Sequence, residues 1–144
     1  MKREVKVGIF AIVVLLVGWG VIRYLKGADV FKMAISVAPV TSWRYYDTIY
    51  TEIYNGLPQE NPAGYDDNSP INFADQLKGN YLIVHGTGDD NVHYQNALDM
   101  ISALQKAGKQ FDMQMYPNKN HSILGAKTRY HLYTRFNTFL KNNL

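Results

Sequence analysis

Residues 84–93, VHGTGDDNVH, place two carboxylates and two imidazoles directly after an apolar run. Carboxylates and imidazoles are the side chains that most often transfer protons in enzyme active sites. A further imidazole, His121, follows the next strand-like segment of the chain. The candidates for acid–base chemistry are therefore Asp89, Asp90, His85, His93 and His121.

The segments before these candidates have the pattern of strands. Residues 81–84 (YLIV) form a short, fully apolar run of the kind found in the middle of a parallel sheet. Residues 33–40 (MAISVAPV) indicate another buried strand, and residues 111–116 (FDMQMY) alternate, with Phe111, Met113 and Met115 on the predicted buried side. Residues 41–58 are predicted to be helical up to Pro58, and a loop is predicted from there to Pro70.

Two amphipathic helices complete the pattern. The first has Gly108 just past its end, and its apolar face carries Ala97, Met100, Ile101, Leu104 and Ala107. The second lies near the carboxyl terminus and carries Leu132, Tyr133, Phe136, Phe139 and Leu140 at helical spacing. Because strands and helices alternate, the predicted class is α/β with a parallel sheet.

Asp89 and His121 follow two successive strands, where the loops of such a sheet form a crevice. Their order is similar to that of α/β-hydrolases, in which the catalytic serine, acid and histidine occur in this sequence. Two simpler roles stay open, since Asp89 could cap the helix beginning near Asn91 and a loop histidine could simply be solvated. A metal site formed by His85, Asp89 and His93 lacks any recognised ligand spacing, so we predict no metal and no cofactor.

The amino-terminal segment has a different character. Residues 7–22 contain no charged residue and no Ser, Thr, Asn or Gln, and basic residues precede them. We predict a membrane anchor at 1–26, with the carboxyl-terminal part exported to the periplasm; a buried core segment is the alternative. The net charge of +3 comes from this segment, which holds five basic residues and one acid. Residues 27–144 are therefore slightly acidic, which argues against nucleic acid as a partner.

Three longer motifs, SVAPVTSWRYYDTIYTE, HGTGDDNVHYQ and NKNHSI, together resemble the catalytic domain of the dipeptidyl peptidase IV branch of the prolyl oligopeptidase family. The resemblance covers residues 27–144 and implies the carboxyl-terminal part of an α/β-hydrolase fold, with an incomplete sheet. It implies post-proline peptide hydrolysis, with Asp89 as the catalytic acid and His121 as the base. By the same resemblance, Asn91 contacts the substrate carbonyl. The proline pocket is implied to be formed by Val40, Trp43, Tyr46, Tyr50 and Val92.

Several positions depart from the resembled family. Ile53 replaces a usual arginine, and Ser122 follows the histidine where glycine is common. The family carries its nucleophile in a G-W-S-x-G-G motif before the first of these strands, yet residues 1–35 contain no Ser, Thr or Cys. None of the remaining serines lies in G-x-S-x-G. We therefore expect the chain to be inactive by itself, because a triad without its nucleophile retains only residual catalysis.

Residues 1–27, with their Lys-rich start and LKG turn, resemble the amino-terminal anchor of bacterial MCE-domain (MlaD-like) lipid-transport proteins. Residues 25–31 suit both resemblances, which favours a junction between two genes there. Two other functions stay open: a non-catalytic, membrane-anchored domain that binds proline-containing peptides, and an MCE-type lipid-transport component. Relatives in the peptidase family are usually dimers, so a homodimer through the last helix is also compatible with the sequence.

Overall fold

The computed structural model describes Leu25 and residues 31–144. The predicted anchor at 1–26 lies outside the described residues, apart from Leu25. Among the residues that are described, no helix has both the length and the hydrophobicity needed to cross a membrane.

Three parallel strands form the sheet of the described region. They are β1 (Met33–Val37), β2 (Asn80–Gly86) and β3 (Asp112–Tyr116), in the spatial order β1-β2-β3. All three predicted strands and their parallel arrangement are confirmed. The central strand β2 is buried from Tyr81 onward, as its continuous apolar run predicted. β1 ends earlier than predicted, because Ala38 has a φ of 46° and turns the chain out of the strand.

Helices cover both faces of this sheet. Helix α3 (Gln95–Lys106) packs Ala97, Met100 and Leu104 against Tyr81 and Ile83. Helix α4 (Ala126–Asn143) packs Leu132 and Phe139 against Ile35, Leu82 and Val84 on the opposite face. Since successive residues of β2 point to opposite sides, its alternate side chains supply both cores. The described region is therefore a three-layer α/β structure.

The region between β1 and β2 differs from the prediction. The predicted helix over 41–58 is two elements, a 3-10 turn at Trp43–Tyr45 and helix α1 (Thr48–Asn55). Tyr46 is extended, and Asp47 begins α1 by accepting a hydrogen bond from the Tyr50 amide. The helix ends at Gly56, whose φ of 70° is readily adopted only by glycine, before Pro58 is reached.

The predicted loop up to Pro70 contains a short helix, α2 (Pro62–Asp66), and a 3-10 segment follows at Pro70–Gln76. Asn61 caps α2 by accepting from the Gly64 amide, and Pro62 occupies its first turn, where a missing N–H costs nothing. The Asn, Pro and Gly residues that suggested a loop therefore act as helix-start signals here.

One side chain of the third strand also departs from the prediction. Met113 is 56% exposed, although it was expected on the buried side with Phe111 and Met115. β3 is an edge strand of the described sheet, and within residues 31–144 Met113 belongs to neither sheet-face core. Alternation alone therefore identified the strand but not its full burial.

Candidate active site

Asp89 lies in the loop that follows β2 and is almost completely buried. Its Oδ1 atom accepts hydrogen bonds from the backbone N–H groups of Asn91 and Val92, both at 2.9 Å. This is the turn-capping role that the sequence left open for Asp89, although α3 itself begins only at Gln95. The two bonds fix the carboxylate and leave its second oxygen, Oδ2, for other partners.

His121 lies in the loop that follows β3, and its Nδ1 atom is 2.9 Å from Asp89 Oδ2. Because a carboxylate oxygen only accepts, Nδ1 carries the hydrogen and donates it. The other ring nitrogen, Nε2, makes no hydrogen bond within residues 31–144, and the side chain is 22% exposed. A neutral imidazole held in this way presents Nε2 as a proton acceptor, which is the arrangement of an acid–base pair.

A close backbone approach brings the two loops together. The Gly88 amide donates to the Lys119 carbonyl at 3.0 Å, and the Thr87 amide donates to the Tyr116 carbonyl at 3.0 Å. At Gly86, an added Cβ would lie 2.2 Å from the Lys119 carbonyl oxygen, so only glycine fits. These contacts bind the loop of Asp89 to the loop of His121.

The loop of His121 also contains a residue with a strained backbone, Ile123, whose side chain is buried. Ile123 has a φ of 47°, which is unfavourable for a β-branched side chain, and it is buried against the α4 side of the sheet. Such strain persists only where the surrounding packing fixes it, and it is often found near functional sites. The buried Ile123 side chain therefore anchors the segment that carries His121.

The remaining candidates from residues 84–93 occupy different environments. Asp90 and His93 are exposed, and His93 Nδ1 accepts from the Gln95 amide. His85, another of the acid–base candidates, is fully buried, with its Nε2 atom 3.1 Å from Asp89 Oδ2. Sequence reasoning missed this contact, because side chains four residues apart meet regularly in a helix but not where a strand passes into a loop. Within the described residues, no group of acidic, histidine or cysteine side chains has a geometry suited to a metal ion.

The predicted proline-pocket residues lie together beside this pair. Val40, Trp43 and Val92 are buried in one cluster, against which Tyr46 packs. The Tyr46 hydroxyl donates to Asn91 Oδ1 at 3.1 Å, and burial together with nearby Asp47 raises the pKa of Tyr46. The phenol therefore stays protonated and links the pocket to the loop of Asp89.

The tyrosines of α1 extend this group of rings. Tyr50 packs edge-on to Tyr46 at 5.6 Å between ring centroids and is stacked on Trp43 at 6.4 Å. Tyr54, one helical turn later, contacts Tyr50 at 4.8 Å. Sequence reasoning did not single out Tyr54, although its i,i+4 spacing from Tyr50 was a sufficient signal. We refer to Trp43, Tyr46, Tyr50 and Tyr54 as the aromatic wall.

Asn96 holds the start of the aromatic wall in place. This fully buried side chain accepts from the Thr41 amide at 3.0 Å and the Ser42 amide at 3.2 Å, and donates to the His93 carbonyl at 3.1 Å. The Thr41 hydroxyl returns a bond to the Asn96 carbonyl at 2.7 Å. The Asn96 side chain thus links Thr41 and Ser42, which directly precede the aromatic wall, to the amino-terminal end of α3.

Replacing Asn96 with Ala is expected to destabilise the protein by about 2–3 kcal/mol, because two buried backbone N–H groups lose their acceptor. Urea unfolding should show a lower midpoint with an unchanged slope. Gln95→Ala, an exposed change at the neighbouring position, serves as the control and should stay within about 0.5 kcal/mol of the parent. Equal effects of the two substitutions would show that the hydrogen bonds of Asn96 make no specific contribution to stability.

Comparison with known proteins shows the family of this chain. A family described as the prolyl oligopeptidase family of S9 peptidases matches residues 18–144, which is most of the chain. This chain belongs to the prolyl oligopeptidase family. Residues 1–32 also match a domain of unknown function, and both matches include the predicted junction at 25–31. The boundaries predicted at 1–26 and 27–144, and the MCE resemblance, stay predictions.

Similar proteins within the prolyl oligopeptidase family include dipeptidyl peptidases. The chain is 42% identical over 118 residues to dipeptidyl peptidase 4 of Bos taurus, covering 80% of this chain and 15% of that protein. It superposes on the crystal structure of Porphyromonas gingivalis dipeptidyl peptidase 4 with a TM-score of 0.85 and 49% identity, covering 88% of this chain and 18% of the other. The chain thus spans less than a fifth of the length of either relative.

Proposed function

We propose that residues 31–144 contribute the acid–base pair and the proline pocket of a dipeptidyl-peptidase-IV-like serine peptidase. The observation that carries this proposal is the hydrogen bond between His121 Nδ1 and Asp89 Oδ2, which leaves His121 Nε2 without a hydrogen-bond partner within residues 31–144. In a serine peptidase, that nitrogen takes the proton of the attacking serine and later returns it to the leaving amine. Asp89 holds the required tautomer and stabilises the imidazolium.

The aromatic wall is suited to a proline side chain. A pyrrolidine ring is flat, compact and apolar, so aromatic faces and small branched side chains hold it well. Tyr46, Tyr50 and Asn91 are the accessible members of the predicted pocket, while Val40 and Val92 are buried beneath them. Asn91 would contact the carbonyl that precedes the cleaved bond. We therefore propose proline-containing peptides as the substrate class.

The nucleophile is the missing component. The sequence holds no serine in a G-x-S-x-G motif, so we propose that these 144 residues do not hydrolyse peptides unaided. The same reasoning keeps a second function open, a domain that binds proline-containing peptides without cutting them. That function is favoured by a pocket whose residues all lie within this segment. This function would be supported if NMR showed that the isolated chain binds a proline-containing peptide and the peptide were not hydrolysed.

The proposed function can be tested in a hybrid peptidase. In this hybrid, residues 31–144 replace the matching segment of the Porphyromonas gingivalis dipeptidyl peptidase 4, which supplies the remaining catalytic domain. We expect the hybrid to hydrolyse a chromogenic X-Pro amide, and to favour it over the X-Leu amide by at least about tenfold in kcat/KM. A folded hybrid that is inactive towards X-Pro would contradict the proposal.

We also propose membrane attachment through residues 1–26, a periplasmic location and a homodimer. They rest on the apolar run at 7–22 and on the family resemblance. An MCE-type role in lipid transport would rest on residues 1–27 alone, and co-purifying lipid would support it. Nothing in the acid–base geometry depends on any of these.

A further inference from the structure

His85 is a buried titratable residue for which the proposed mechanism has no use. It lies at the end of β2, directly before Gly86, and its side chain is completely buried. Its Nε2 atom is 2.9 Å from the Val92 carbonyl oxygen and 3.1 Å from Asp89 Oδ2. Both neighbours are acceptors, so Nε2 must carry a hydrogen.

The second ring nitrogen of His85 is in a different position. Nδ1 is buried and has no hydrogen-bond partner in the described part of the chain. The ring of Tyr94 packs edge-to-face on the imidazole, at 5.6 Å between centroids. Protonating Nδ1 would place an unshared N–H in an apolar environment, and burial correspondingly lowers the pKa of His85. The ring is therefore neutral, with its hydrogen on Nε2.

We propose that His85 is a positioning residue, whose Nε2–H fixes Asp89 Oδ2 in the orientation that receives His121 Nδ1. Asp89 Oδ1 is already bound by two backbone amides, and Oδ2 lies 3.1 Å from His85 Nε2 and 2.9 Å from His121 Nδ1. The same N–H is shared with the Val92 carbonyl, which ties the strand end to the acid loop. This inference rests on the proposed function, since orienting His121 matters only if His121 acts as a base.

Histidine NMR on the full chain tests the first part of this proposal. The sequence contains four histidines, so single substitutions can assign the imidazole nitrogens. We expect His85 to show the neutral Nε2–H tautomer at pH 7, because its Nδ1 atom is buried without a partner in the described residues and burial lowers its pKa. Asp89, His121 and Tyr94 are the titratable groups that face His85. An Nδ1–H tautomer, or an imidazolium at pH 7, would overturn the proposal.

Two substitutions test the positioning itself. His85→Gln keeps an N–H donor at the reach of Nε2, while His85→Phe keeps a ring but has no donor. We expect the Nδ1 proton of His121 to exchange with water on the order of tenfold faster in His85→Phe, and within about twofold of the parent rate in His85→Gln. Tyr81→Phe, a buried change on the same strand, should leave the rate unchanged. Equal acceleration by Gln and Phe, or none by Phe, would refute the role.

These readouts need no substrate and no serine. Failure of the hybrid peptidase would therefore not alter them, and an incorrect role for His85 would not alter the activity of the parent hybrid. If His85→Phe does not fold, the tautomer of His85 in the parent protein still tests the proposal, because an Nδ1–H tautomer could not donate a hydrogen bond to Asp89.

Discussion

In the hybrid peptidase, His121→Ala should lower kcat by on the order of 10⁶-fold, and Asp89→Asn by on the order of 10⁴-fold. The histidine is the larger loss because it transfers the proton itself. The Asn side chain occupies the same volume as Asp but presents an amide that no longer holds the Nδ1–H tautomer. Both values can be measured from the hydrolysis of an X-Pro amide at saturating substrate, beside the unsubstituted hybrid.

The chain supplies a matched control for each substitution. Asp90 and His93 are of the same residue types and lie in the same loop as Asp89, but both are exposed, and within residues 31–144 neither side chain forms a hydrogen bond or ion pair with Asp89 or His121. Asp90→Asn and His93→Ala should therefore leave kcat within about twofold of the parent. If Asp90→Asn were as damaging as Asp89→Asn, the acid would be wrongly assigned. If His121→Ala retained activity, the base would lie elsewhere.

Local sequence patterns predicted the elements that position this pair. The apolar run at 81–84 identified the central strand, because a strand covered by helices on both faces needs no polar side. The periodicity from Ala97 to Leu104 identified α3, and Gly108, with a φ of 68°, lies just beyond its end. The positions of Asp89 and His121 after successive strands then followed from the rule that such residues gather at the carboxyl edge of a parallel sheet.

Features that depend on how the folded chain turns back on itself could not be predicted in this way. His85 meets Asp89 only because the loop after β2 turns back on the strand end. Asn96 looks like an ordinary surface amide of a helix until Thr41 and Ser42 are brought against it from 55 and 54 residues away. Ile123 gives no local sign of its positive φ, since the packing that imposes it comes from strands and α4.

The prediction for the region between β1 and β2 was wrong for a different reason. The aromatic residues before and after Tyr46 both have helical spacing, and this periodicity alone does not indicate the break between the 3-10 turn and α1. Asp47 was the available signal, because an aspartate that accepts from the amide three residues later begins a new helix. Asn61 followed by Pro62 carried the same kind of information within the predicted loop.

Gly86→Ala is expected to be the most damaging small substitution in the described region, lowering the free energy of unfolding by more than about 3 kcal/mol. The added Cβ would lie 2.2 Å from the Lys119 carbonyl oxygen and 2.8 Å from that of Asn120, and backbone atoms cannot move aside as a flexible side chain does. The loops of Asp89 and His121 would have to separate. Thermal unfolding of the full chain should show a Tm lower by on the order of 10 °C.

Gly88→Ala provides the matched control, because it adds the same methyl group two residues later, in the loop that follows β2. There the Cβ would lie no closer than 3.4 Å to its nearest neighbour, an ordinary contact, and Gly88 does not have a positive φ. We expect it to change stability by less than about 1 kcal/mol. In the hybrid, Gly86→Ala should also cost on the order of 10²-fold in kcat, since a displacement of about 1 Å between acid and base has that effect. Equal stability of the two variants would mean that the loops adjust freely, and the pairing of Asp89 with His121 would then not depend on the close approach at Gly86.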